Sequence, residues 1–267
     1  MTSLTLVLAA ALFAGYAMTF LLNRMLLRWP AGKTLFGNWG RCARCAGPLP
    51  WQALLPGLDL LWPGKLPACG HAMPVWRVFN LIALLAGSGW LAWLHAAQPL
   101  FALSQALLLL FVLLPLAAID ARVLEVEPRL VLGGIVLRLA ALALVHPDQL
   151  APMLGGMLMG AGLFAMVDFC YRALRRRPGL GEGDAAVMGL IGAFVGWQGI
   201  LPVAALAALG GLAVGLPLLL AARRPLTTAI PFVPFLAAAG LIVYLGQSLW
   251  GDTWWGWIFM LRPALPG

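Results

Sequence analysis

The two longest stretches of this chain without a charged side chain are Val78 to Ile119 and Ala185 to Ala222. A helix needs about 20 apolar residues to cross a bilayer, so each stretch is long enough to cross more than once. Composition agrees, with 63% of residues hydrophobic and only 10% charged, where soluble domains carry about a quarter charged. In lipid an open sheet cannot satisfy its backbone, which leaves helices as the spanning elements. The sequence therefore predicts an all-α, polytopic membrane protein embedded in a lipid bilayer.

Breakers divide the apolar runs into about eight transmembrane helices. Leu4 to Leu22 is the first. No basic residue precedes it and no small-residue cleavage site follows it, so it reads as a span rather than a removable leader. Gln98-Pro99 splits the first uncharged stretch into spans two and three. Leu130 to Val145 and Leu154 to Tyr171 are the fourth and fifth. Gly196-Trp197-Gln198-Gly199 splits the second uncharged stretch into a short sixth span and a seventh, and Pro231 to Leu249 is the eighth. The expected divisions are 1–27, the first helix; 28–77, a small polar lobe between helices one and two; 78–250, a seven-helix core; and 251–267, a C-terminal tail. The spacings Gly156-x-x-x-Gly160, Gly192-x-x-x-Gly196 and Gly211-x-x-x-Gly215 predict close helix packing.

The formal net charge of +8 does not point to nucleic acid, because basic residues in a membrane protein mark the cytoplasmic loops. With the N-terminus outside, one set of loops collects Arg28, Lys33, Arg41, Arg44, Lys65 and Arg77, then Arg122 and Arg129, then Arg172 and Arg175 to Arg177, then Arg223 and Arg224. The opposite loops carry almost none, Arg262 being the main exception. This asymmetry fixes the expected orientation and makes the lobe cytoplasmic. In this setting the Cys42-x-x-Cys45 pair reads as metal-binding in a reducing compartment.

On this topology Asp120 ends the third span and Asp184 begins the sixth, both at the cytoplasmic boundary. Two neighbouring carboxyls do not both ionise easily, so one holds a proton and the other a charge. That division lets one activate water while the other protonates a carbonyl or a leaving amine, which is peptide hydrolysis without a covalent intermediate. Gly181 and Gly183, in the stretch Gly179 to Asp184, would let the backbone approach a substrate and adopt turn angles closed to other residues. The bland alternative is a pair of solvated loop acids. Physics alone leaves both readings open, although ionisable groups beside the apolar core are expensive and often functional.

The segments that hold these residues resemble the type IV prepilin peptidases, membrane aspartyl proteases with a Gly-x-Gly-Asp signature. Gly181-Glu182-Gly183-Asp184 fits that signature, and residues 185–202 look like the segment that follows it. Residues 117–120, Ala-Ala-Ile-Asp, look like the first-aspartate motif. Phe20 to Pro30, with Asn23 and Arg28, is similar to the end of the family's first helix. Pro63 to Cys69 resembles its Gly-Lys-Cys stretch, and Pro231 to Gly240 resembles the start of its last helix. The resemblance implies an endopeptidase of the bacterial inner membrane with Asp120 and Asp184 as catalytic residues. Its substrates would be type IV prepilins or type II secretion pseudopilins, cut after a glycine at the cytoplasmic face. Many members also methylate the new N-terminus with S-adenosylmethionine.

Some features depart from the family pattern. Pro128 lies one residue further from Asp120 than is usual, and Glu125 and Glu127 occupy the interval. Family lobes often carry two Cys-x-x-Cys pairs for structural zinc; here Leu66 replaces one cysteine, leaving Cys42, Cys45 and Cys69 with His71 as the fourth ligand. Asn80 stands where the family has a glutamate at the start of helix two, so methyl transfer is expected to be weak or absent. Cys170 is expected to be packed in its span, Arg138 to pair with Asp168, and Trp250, Trp254, Trp255 and Trp257 to form an interfacial belt. The rival reading is a catalytically inactive scaffold or assembly factor with the same fold; a transporter would hold its ionisable groups near the midplane instead. Oligomeric state is not legible.

Overall fold

The computed structural model describes residues 2–28, 47, 76–96, 98–176, 181–222, 225 and 230–251. Among them are seven helices long and apolar enough to cross a membrane: α1 (Thr2–Arg28), α2 (Trp76–Leu94), α3 (Leu100–Val123), α4 (Pro128–Val145), α5 (Leu150–Arg175), α6 (Glu182–Ala221) and α7 (Val233–Trp250). The chain is thus an all-α, multi-pass membrane protein. The expected lobe and tail lie almost entirely outside the described residues, as do Cys42, Cys45, Cys69, His71, Trp254, Trp255 and Trp257.

Seven helices stand where eight spans were expected, because the sixth and seventh spans form one helical run. At 40 residues, a straight α6 would be about 60 Å long, roughly twice the hydrocarbon thickness. It is not straight. Gly196 sits at φ 66°, ψ 180° within it, an angle that glycine adopts without a Cβ penalty. Neighbours on α7 show what the break does. Gly240 packs on Ile191, and Gln247 bonds Val195, so α7 runs parallel to the first limb of α6. Beyond the break Val243 faces Gly199, and Phe232 and Phe235 face Gly211 and Gly210. That second limb runs antiparallel to α7, so α6 folds back on itself at Gly196.

The chain divides into two compact units, residues 1–107 and 108–267. In the first, α1 and α2 pack antiparallel. Gly15 lets α1 lie directly on the Leu84 carbonyl and on Ser88. One end of the pair is tied by amides: Asn80 Nδ2 donates to Asn23 Oδ1 at 2.9 Å, and Asn23 Nδ2 donates to the Arg77 carbonyl at 3.5 Å, all of them buried.

In the second unit the glycine spacings act as expected. Gly156 and Gly160 of α5 lie against the backbone of Gly192, Gly196 and Met188, so the two helices approach without intervening side chains. Gly211 and Gly215 face Phe232 and Ile230 just before α7. Two expectations are corrected here. Cys170 is exposed rather than packed, because it falls on the outer face of α5. Asp168 is bridged by Arg172 of its own helix at 2.6 Å, while Arg138 donates to the Ala193 carbonyl at 3.4 Å.

Candidate functional site

Asp120 lies in the last turn of α3, one turn before Leu124 closes the helix in the left-handed region at φ 56°. It is 6% exposed. Its Oδ2 accepts the Val233 N–H at 3.0 Å. Phe232 and Val233 are the N-cap and first residue of α7. The opening N–H groups of a helix have no intrahelical partner, and an acidic group is favoured there. Asp120 therefore caps α7 from a distant part of the chain. The Pro-Phe-Val-Pro stretch marks the start of a helix in sequence, but not which acid lies on it.

Asp184 is the third residue of α6 and is 7% exposed. Its Oδ2 accepts the Gly181 N–H at 3.0 Å, and its own N–H donates to the Gly181 carbonyl at 3.0 Å. The carboxyl is thus folded onto the helix's own first turn, in the manner of a capping box.

The two glycines of the signature act through space rather than through angle. Gly181 has φ −66°, and Gly183 lies inside the helix; neither is among the positive-φ residues. A Cβ on Gly181 would crowd the Asp184 carboxyl, and one on Gly183 would collide with Val126. The second contact is the informative one. It seats the α3–α4 connection, just beyond Asp120, on the first turn that carries Asp184. Both acids lie in the same unit, one at the end of α3 and the other at the start of α6.

The acids in the interval after Asp120 have other places. Glu127 is buried and caps α4, accepting the Arg129 N–H at 3.1 Å with Pro128 at the first helical position. Glu125 is exposed, and the Glu182 side chain lies outside the described residues. Beside Asp184 opens a cavity of about 350 Å³ lined by Phe164, Ala165, Asp168, Phe169, Arg172, Gly181 and Ala185. Phe164 stacks on Phe232 at 6.4 Å, so one wall of the cavity abuts the segment that holds Asp120. The arrangement is two buried carboxyls, each with one oxygen engaged by backbone N–H, beside an apolar cavity with one ion pair.

The chain was compared with known proteins. A sequence model described as the Type IV leader peptidase family matches residues 107–216, a segment that contains both acids. A prepilin leader peptidase/N-methyltransferase of Pseudomonas aeruginosa is 30% identical, over 86% of this chain and 86% of its own. One of Dickeya chrysanthemi is 31% identical, over 81% of this chain and 78% of its own. One of Myxococcus xanthus is 30% identical over 76% of this chain, which spans 60% of that longer relative. No solved structure matches significantly. On the strength of the full-length relatives and of a family match that encloses the acid pair, the chain belongs to the type IV leader peptidase family.

Proposed function

We propose that this protein is an aspartyl endopeptidase of the bacterial inner membrane that removes the leader of type IV prepilins or type II secretion pseudopilins. The observation that carries the reading is the burial of two carboxyls, Asp120 and Asp184, in one unit. The α3–α4 connection after Asp120 also packs on Gly183. Close carboxyls divide one proton between them. The charged one takes a proton from water as it attacks the scissile carbonyl. The protonated one donates to the carbonyl oxygen; as the C–N bond breaks, the first carboxyl passes its new proton to the leaving amine and the diol hydroxyl returns a proton to the second, restoring the starting pair. The N–H groups of Val233 and Gly181 hold the two carboxyls in orientation throughout. The apolar cavity beside Ala185 takes a side chain flanking the cut bond.

In this reading the first limb of α6 enters from the cytoplasmic face and turns at Gly196 within the membrane, the second limb returns to that face, the N-terminus lies outside, and both acids sit at the cytoplasmic boundary. The lobe holds structural zinc through Cys42, Cys45, Cys69 and His71, a thiolate and imidazole set suited to tetrahedral zinc. Metal analysis of the purified protein and of its Cys42→Ser variant tests this, with near one zinc per chain expected in the first and loss in the second.

Methyl transfer from S-adenosylmethionine is weak or absent, since the Asn80 amide that replaces the acid is taken up by Asn23. The principal test is cleavage of a purified prepilin by the purified full chain, read by mass spectrometry with labelled S-adenosylmethionine present. Removal of the leader after its glycine, with little label on the new N-terminus, is expected. An intact prepilin would refute the peptidase, and strong labelling would refute the loss of methylation.

A further inference from the structure

A helix that ends inside the membrane leaves its last four carbonyls without an intrahelical donor. The first limb of α6 ends this way at Gly196. From Glu182 to Val195 it measures only about 20 Å, short of the hydrocarbon thickness of about 30 Å. Irregular backbone at that depth is tolerated only where protein satisfies it. Two side chains do so. Arg138 of α4 donates from Nε to the Ala193 carbonyl at 3.4 Å, and Gln247 of α7 donates from Nε2 to the Val195 carbonyl at 3.0 Å. Arg138 is 7% exposed, and its guanidinium lies 4.9 Å from the Phe194 ring centroid. Phe194 in turn meets Tyr244 of α7 edge-on at 6.0 Å. A cation suits the negative pole of a helix C-terminus and the face of an aromatic ring, which accounts for a buried arginine at this depth.

We propose that Arg138 and Gln247 are positioning residues that set the placement of Asp184 from the far end of its helix limb. The inference rests on the reading of Asp184 as a catalytic carboxyl. Three contacts make α4 and the turn before it a splint along that limb: Val126 on Gly183, Gly134 against Leu190, and Arg138 on Ala193. Apolar contacts allow a helix to slide or rotate slightly; a directed bond to one carbonyl does not. α4 also follows directly on the turn after Asp120. Fixing α4 to the limb therefore fixes one acid relative to the other, and a shift of about 1 Å at a reacting centre costs about 100-fold in rate.

The test uses the full-length protein in lipid nanodiscs with a purified prepilin as probe. Arg138→Met and Gln247→Leu keep the bulk of each side chain and remove the donor. The expected result is a fall in kcat of about 10- to 100-fold with KM within about twofold, and recovery of most of the rate in Arg138→Lys. A second readout does not depend on cleavage: spin labels introduced through unnatural amino acids at Leu132 and Ala186, both exposed, report the distance from α4 to the first limb. That distance should shift or broaden in Arg138→Met and return in Arg138→Lys. An unchanged distance with unchanged kcat overturns the proposal, as does a loss of kcat that lysine does not restore while the distance stays fixed. If the wild type leaves prepilin intact, the peptidase reading fails, and the spin-label distances alone decide the clamp.

Discussion

The buried polar groups of the two units are satisfied in different ways. In the first unit Asn23 and Asn80 bond each other, side chain to side chain. An amide has one protonation state, so the pair has nothing to exchange, and its role is to fix α1 against α2. In the second unit Asp120 and Asp184 are held by backbone N–H groups, each through Oδ2. Those donors orient the carboxyls without supplying a side chain that neutralises them, and a carboxyl can gain or lose a proton in place. Both regions bury polar atoms, but the Asn23–Asn80 amides cannot change charge, whereas the two carboxyls can.

Replacing the acids sharpens this contrast most. Asp120→Asn and Asp184→Asn keep an oxygen that accepts from Val233 and Gly181, so thermal stability should stay within about 1 kcal/mol. Leader cleavage should fall by about 1000-fold or more, measured as initial rate on purified prepilin. A fall in melting temperature matching the fall in rate would show that these acids, like the asparagines, are only structural.

Next in size is Gly183→Ala. The added methyl displaces Val126 and with it the turn after Asp120. Cleavage should drop about 10- to 100-fold, as misplacement of a reacting group does, and adding Val126→Ala should restore much of it. Failure of the second change to help would place the role of Gly183 elsewhere.

A smaller effect, of another kind, is expected in the first unit. Asn23→Ala leaves the buried Asn80 amide without its acceptor and should destabilise the protein by about 1–3 kcal/mol, with the cleavage rate of the folded protein unchanged. A rate loss without destabilisation would break the distinction between the units. Smallest of all is Asp168→Asn, which removes a half-exposed i,i+4 ion pair with Arg172. Unfolding should register no more than about 0.5 kcal/mol.

Much of the second unit was legible because lipid makes charge conspicuous. Asp120 and Asp184 stand out as the acids bounding uncharged runs, and Gly196 as the point where a run too long to cross once must turn. Of the two uses that the sequence suggests for the signature glycines, close approach to a substrate and unusual turn angles, the second is not adopted: neither has positive φ, and Gly183 instead lies in a helix with Val126 packed on it. Arg138 was misassigned on similar grounds. An intramembrane arginine invites a search for an acid, and Asp168 offers itself; the actual partner is a backbone carbonyl at a helix end. Backbone groups exposed by a break have no letter in the sequence. The same blindness hid the role of the Val233 amide in holding Asp120.

The most direct test of the central claim asks whether the two acids meet. Cysteines at positions 120 and 184, in a chain whose native cysteines are serine, would be treated in native membranes with a short bifunctional thiol reagent. A protease site inserted between residues 177 and 180 would then be cut, so that only a cross-link keeps the halves together. Cysteines at 164 and 232, where the native rings stack, give the positive control. The account predicts that the 120–184 pair links as readily as the control. A control that links while 120–184 does not would contradict it.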